Sequence, residues 1–288
     1  MTDLPRKTAA EFDPRILEIF DGYVHGAVSK RAFIAQAGRY AAAGVTGAML
    51  LEQVAPDDPG IETMQASYDS PRGHGTVSGL MAKPAGAEGP LPAILVIHEN
   101  RGLNPYIEDV VRRCAKAGYL AFGPDGLSPV GGYPGNDDEG REMQRSMDRE
   151  KLMEDFFAAF VFLRQHEGST GKVGAVGFCY GGGVCNALAV AFPDLAASVP
   201  FYGRQPEAAD VASIQAPLMI HYAGLDERIN AGWPAYSQAL RDHQKAFSVH
   251  FYPGVNHGFH NDSTPRYDAA AAELAWARTM DFFGRHLT

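Results

Sequence analysis

From residue 66 onward, short apolar runs alternate with stretches of helical period, the pattern of strands separated by helices. Residues 76–83 alternate weakly and predict an early antiparallel strand, and residues 92–98 (PAILVIH) form a continuous apolar run of the kind buried in a parallel sheet. Residues 104–117 are expected to be helical, with Val110, Val111 and Cys114 on one face. A strand is predicted at 119–122, then a polar, Gly-rich stretch at 125–138 and one long helix over 139–166. Further strands are predicted at 172–178, 197–202, 217–222 and 247–252, with a closing amphipathic helix over 267–286. This order predicts an α/β protein, a doubly wound, mostly parallel sheet with helices on both faces.

The first 55 residues have a different character. Phe12, Ile16, Ile19, Phe20 and Val24 recur at helical spacing, and Lys30-Arg31-Ala32-Phe33 precedes an Ala/Gly-rich apolar run at 40–51. A basic pair, a Phe and a short apolar run resemble a degenerate twin-arginine export signal, with Lys30 in place of the first arginine. The other reading is a pair of amphipathic helices packed on the main domain or on a second copy of the chain, giving a homo-oligomer. The domain expectation is therefore a helical extension over 1–55, a linker over 56–65 around VAPDDPG, and the α/β domain over 66–288.

Charge narrows the partners. Thirty-four acidic against 25 basic residues leave a net charge of −9, which argues against nucleic acid or an anionic membrane as the main partner. It leaves room for a local basic pocket. The apolar run at 40–51 is too short to span a bilayer. Three cysteines are too few for a disulfide framework, and a reactive thiol favours the reducing cytoplasm over the periplasm that an export signal would imply.

The chemistry concentrates at Gly177-Phe178-Cys179-Tyr180-Gly181-Gly182, where a predicted strand turns into a helix. Gly-x-Cys-x-Gly at such a turn is a nucleophile elbow with cysteine in place of serine. Small flanking residues let the strained turn close, the helix N-terminus favours thiolate, and the Tyr180 amide is aimed at a developing oxyanion. Asp226 follows the strand at 217–222 and His257 lies in a Gly-flanked loop after the strand at 247–252, in the order nucleophile, acid, base. Cys114, Cys185, His98, His221 and His260 are read as structural. The histidine spacing fits no metal motif, so neither metal nor cofactor is expected.

Taken together, Ile97-His98-Glu99-Asn100-Arg101-Gly102, the elbow, Gly224-Leu225-Asp226 and Asn256-His257-Gly258-Phe259 make the chain resemble the dienelactone hydrolase family over about residues 66–288. The resemblance implies an α/β-hydrolase fold with no large cap domain and a Cys179–Asp226–His257 triad. It further implies that Glu99 holds the resting thiol and that the Asn100 amide is the second oxyanion donor beside Tyr180. Two arginines that bind the substrate carboxylate in dienelactone-cleaving relatives are missing: Pro124-Asp125-Gly126 and His260-Asn261-Asp262 stand there instead. Arg101, Arg204 and Arg228 are candidate replacements, and Tyr133 in the Gly131–Gly135 loop is a candidate pocket residue. The expectation is a cysteine-dependent hydrolase of a small ester or lactone. The rivals are a thioesterase or acyltransferase on the same fold and a non-catalytic thiol-based redox sensor.

Overall fold

The computed structural model describes residues 60–287 and a scatter of positions between 13 and 40. The expectations for the N-terminal extension, its export signal and its role in oligomerisation therefore lie largely outside the described residues. Of that segment, Ile16, Phe33 and Ala37 are buried, and the Arg15 guanidinium lies 4.3 Å from the centre of the Tyr40 ring.

Eight strands form one sheet: β1 (Ile61–Ser70), β2 (Gly75–Pro84), β3 (Leu91–Ile97), β4 (Leu120–Pro124), β5 (Ser169–Phe178), β6 (Ala197–Phe201), β7 (Leu218–Ala223) and β8 (Phe247–Tyr252). Their order is β1-β2-β4-β3-β5-β6-β7-β8. β1 pairs with β2, and β2 with β4, in antiparallel fashion; β4, β3, β5, β6, β7 and β8 run parallel. The helices are α1 (Pro105–Lys116), α2 (Asp137–Ser146), α3 (Arg149–Gln165), α4 (Tyr180–Ala191), α5 (Glu227–Asn230), α6 (Trp233–Asp242) and α7 (Ala269–His286). α1 and α7 bury Val110, Val111, Ala275 and Phe282 against one face of the sheet. α3, α4 and α6 bury Phe156, Phe160, Val184, Leu188 and Leu240 against the other. The central strands are covered on both sides, which is why β3 and β5 read as unbroken apolar runs rather than alternating ones. This is the α/β-hydrolase fold. Among the described residues the longest connection, from β4 to β5, carries only a 3-10 turn and two helices, so no separate cap domain stands over the sheet.

Two boundaries differ from the sequence expectation. Residues 61–65, expected to be linker, are the first half of β1, an edge strand whose largely exposed side chains leave little hydrophobic signal. The single helix expected over 139–166 is two, because Met147 is extended and Asp148 caps a new start, accepting from the Glu150 and Lys151 amides at 2.9 and 3.2 Å. No helix of the described residues is long and apolar enough to cross a membrane.

Candidate active site

Parallel pairing brings the carboxyl ends of β3, β5, β6, β7 and β8 to one edge, and the chemistry-bearing side chains follow those ends. Cys179 is the residue between β5 and α4. Its φ of 55° and ψ of −109° lie in a region that a side chain rarely occupies, and the surrounding contacts leave it no alternative. A Cβ on Gly177 would sit 2.2 Å from the Gly181 carbonyl oxygen. One on Gly181 would sit 2.3 Å from the Ile97 oxygen, and one on Gly182 2.5 Å from the Phe201 oxygen. The three glycines thus let α4 start directly against β3 and β6, with the Cys179 amide donating to the Phe201 oxygen at 3.1 Å. The turn presents the half-exposed Cys179 thiol at a helix N-terminus, whose first amides have no acceptor within the helix.

Asp226 and His257 meet this thiol from β7 and β8. The His257 Nδ1–H donates to Asp226 Oδ2 over 2.5 Å, while Asp226 Oδ1 accepts from the Ile229 amide at 3.3 Å. The imidazole faces the Cys179 thiol, which acts on its proton affinity. Burial works against charge on His257, yet its interactions with Asp226 and Cys179 outweigh it and raise its pKa to about 9. Burial likewise opposes charge on Asp226, and the His257 contact overcomes it and lowers that pKa. The packing of Tyr202, whose ring centre is 4.9 Å from that of His257, braces the base.

These shifts fix a pH dependence of stability. Free imidazole titrates near 6.5, so the stabilisation held by protonated His257 is complete below about pH 6.5 and is lost as pH rises towards 9. Asp226 runs the other way: its contribution is present above the ordinary carboxylate value and disappears on acidification. Thermal unfolding of the native chain is expected to move to lower temperature between pH 6.5 and 9. In His257→Ala that slope should flatten.

Glu99 follows β3 and is only 2% exposed. Its Oε2 accepts from Asn261 Nδ2 at 2.6 Å and lies 3.9 Å from Arg101 Nε. Asn261, one of the residues standing in place of a family arginine, thus holds a carboxylate as a neutral donor, a partnership that no local spacing in the sequence signals. Arg101, a candidate for binding substrate, is buried and directed inward. Its Nη1 donates to Asp137 Oδ2 at 2.5 Å. Tyr133 is engaged by the same carboxylate, its hydroxyl donating to Asp137 Oδ1 at 2.8 Å. Asp137, unremarked in the sequence, is therefore the hub of that wall. Arg228 is exposed and does not line the cleft, whereas Arg204 does, beside Asn100, Cys179 and Tyr180. The cleft encloses about 800 Å³. His98, His221 and His260 are buried and bonded to Gly126, to Thr279 and Tyr252, and to Tyr106 respectively, as structural residues should be. Cys114 and Cys185 are buried and free. No cluster of potential metal ligands occurs among the described residues.

The family model for dienelactone hydrolases matches residues 77–287. The chain belongs to the dienelactone hydrolase family. It is 30% identical over 236 residues to a candidate carboxymethylenebutenolidase of Saccharolobus solfataricus, covering 69% of this chain and 91% of that one. A 99-residue stretch is 62% identical to a candidate hydrolase fragment, YghX, of Escherichia coli K12, covering 34% of this chain and 85% of the fragment. Among solved structures, a candidate dienelactone hydrolase from Klebsiella pneumoniae superposes with a TM-score of 0.68 at 25% identity, covering 78% of this chain and 99% of that one. A second family model, described as YqhI-like, matches residues 4–42. Membership makes the chain a carboxylic ester hydrolase of the dienelactone hydrolase type, as its sequence motifs implied.

Proposed function

We propose that this hydrolase cleaves a small ester or lactone with Cys179 as nucleophile. The observation that carries the reading is the continuous chain of contacts from Asp226 through His257 to the thiol at the strained elbow. The thiolate Sγ, its proton held on His257, attacks the scissile carbonyl, and the Asn100 and Tyr180 amides receive the negative charge on the carbonyl oxygen. Collapse of the tetrahedral intermediate breaks the C–O bond. His257 returns the proton to the departing alkoxide and leaves an acyl-thioester on Cys179. Water then attacks the thioester, His257 takes a proton from it, and the acid and the thiol are released. No cofactor enters these steps.

Glu99 would govern the resting thiol. A buried carboxylate nearby opposes thiolate formation. The grip of Asn261 and Arg101 on Glu99 sets how strongly that charge is felt. Glu99→Gln removes the charge, so iodoacetamide should label Cys179 several-fold faster at neutral pH; an unchanged or slower rate would refute the gating role. The three free cysteines suit the reducing cytoplasm, where we place the enzyme.

The direct test of the mechanism is intact-mass analysis of enzyme quenched in acid during turnover of 4-nitrophenyl acetate. An acetyl adduct on Cys179 that hydroxylamine removes is the expected result. An adduct on another residue, or turnover with none in native enzyme and in variants slowed at deacylation, would reject the thioester route.

A further inference from the structure

The cleft beside Cys179 is larger and more polarised than a compact lactone requires. Its volume of about 800 Å³ is near the top of the range for sites that engulf a drug-sized ligand, roughly 300–1,000 Å³. It is lined from Cys179 and Tyr180 to Val190 and Ala191, the full length of α4, or about 16 Å at 1.5 Å per residue. Met153, Phe157, Val184 and Val190 make its walls between α3 and α4.

The other end is basic. Arg141, Arg145, Arg149 and Arg204 line the cleft, against Asp210 as the one acidic lining residue, in a chain whose net charge is −9. Two of them stand by the start of α4. Arg149 acts electrostatically on Tyr180, and a Cβ on Gly183 would lie 3.7 Å from Arg204. Arg141 and Arg204 have acidic neighbours, Asp138 at 2.9 Å and Glu207 at 3.6 Å. Among the described residues, Arg145 and Arg149 have no ion pair. Arg149 also stands in the first turn of α3, where the helix dipole disfavours a cation. Two exposed arginines without ion pairs line the mouth, one of them against the local field, and present positive charge for an anionic substrate group to meet.

We infer that the natural substrate is an amphiphilic ester, with a medium-length apolar acyl chain lying between α3 and α4 and an anionic alcohol portion held at the mouth by Arg145 and Arg149. This rests on the ester-hydrolase reading above and specifies its substrate. The assignment of the two halves follows from the chemistry. The apolar walls run from Cys179 along α4 and suit the acyl chain, and the alcohol is left at the Cys179 end, where His257 must protonate the leaving oxygen.

Three esters test it: 4-nitrophenyl acetate, 4-nitrophenyl octanoate and 4-nitro-3-(octanoyloxy)benzoate, the last carrying a carboxylate on its leaving group. Values of kcat/KM are normalised to alkaline hydrolysis of each ester. The octanoate is expected to exceed the acetate by at least tenfold, and Ala187→Trp, which fills the groove, should collapse that ratio. The carboxylate ester should exceed the neutral octanoate several-fold at low ionic strength. That advantage should shrink in 0.5 M NaCl and in Arg145→Gln/Arg149→Gln. A chain-length ratio near one or below overturns the acyl groove, and a carboxylate preference that is absent or untouched by the arginine variant overturns the anion site. Cys179→Ala separates the two levels: turnover surviving in it would sink the nucleophile assignment, while the ratios would still decide the substrate.

Discussion

Cys179→Ala is expected to lower kcat for 4-nitrophenyl acetate by at least about 10³-fold while leaving the melting temperature close to that of the native chain. When nucleophile and base act as a unit, removing the nucleophile abolishes nearly all that the unit contributes, and only oxyanion stabilisation and binding remain. The half-exposed thiol takes little packing with it, and alanine is a smaller resident of the same strained turn. Steady-state rates and a thermal melt on one preparation check both halves. A residual rate within tenfold of native would place the nucleophile elsewhere. Cys179→Ser is a sharper companion, since it keeps the shape and changes only the acidity and softness of the attacking atom. Its rate should fall with the thiol's advantage while the Asp226–His257 pair stays intact.

Gly177→Ala should be strongly destabilising. Its Cβ would fall 2.2 Å from the Gly181 oxygen and 3.0 Å from Cys185 Sγ, between a strand and a helix that are both part of the core. Backbone on one side cannot yield as a side-chain tip can, so the cost is put at roughly 3 kcal/mol, the upper part of the overpacking range. In a domain of this size that is a loss of roughly 6–12 °C in melting temperature. Activity should fall further than stability, because α4 can only relieve the clash by moving the Cys179 thiol away from His257. Gly284→Ala is the matched control. Its Cβ would meet nothing closer than Tyr119 Oη at 4.0 Å, and in a helix the exchange should be neutral or stabilising by up to about 1 kcal/mol. Similar melts for the two variants would contradict this account of the elbow.

The parts of the molecule readable from its sequence were those governed by local spacing. β3, β5, β7 and β8 are short apolar runs between turn residues, and β8 matches its expected limits at Phe247 and Tyr252. The elbow was readable because three clashes at the backbone demand glycine at fixed offsets from Cys179. β1 was not, since an edge strand need not alternate strongly. The break between α2 and α3 was hidden because Asp148 is an ordinary helix residue until its carboxylate turns to cap the next helix. The neighbours of Glu99 were beyond reach for another reason. Asn261 is 162 residues away, and nothing in either local sequence specifies the pairing. Arg101 shows the limit of proximity arguments: it adjoins a motif residue, but Asp137 draws its guanidinium into the wall.

That same 162-residue reach from Glu99 to Asn261 also concerns how the chain acquires its activity. The groups around the thiol come from the ends of β3, β5, β7 and β8, so they meet only once the sheet is assembled from β3 across to its outer strand β8. Loop closure over such separations is slow, and the contacts that reward it form only when the outer strand β8 has docked. A partially assembled chain can carry native helices and most of its hydrophobic core and still be catalytically silent. Reactivity of the thiol is thereby deferred until the molecule is complete.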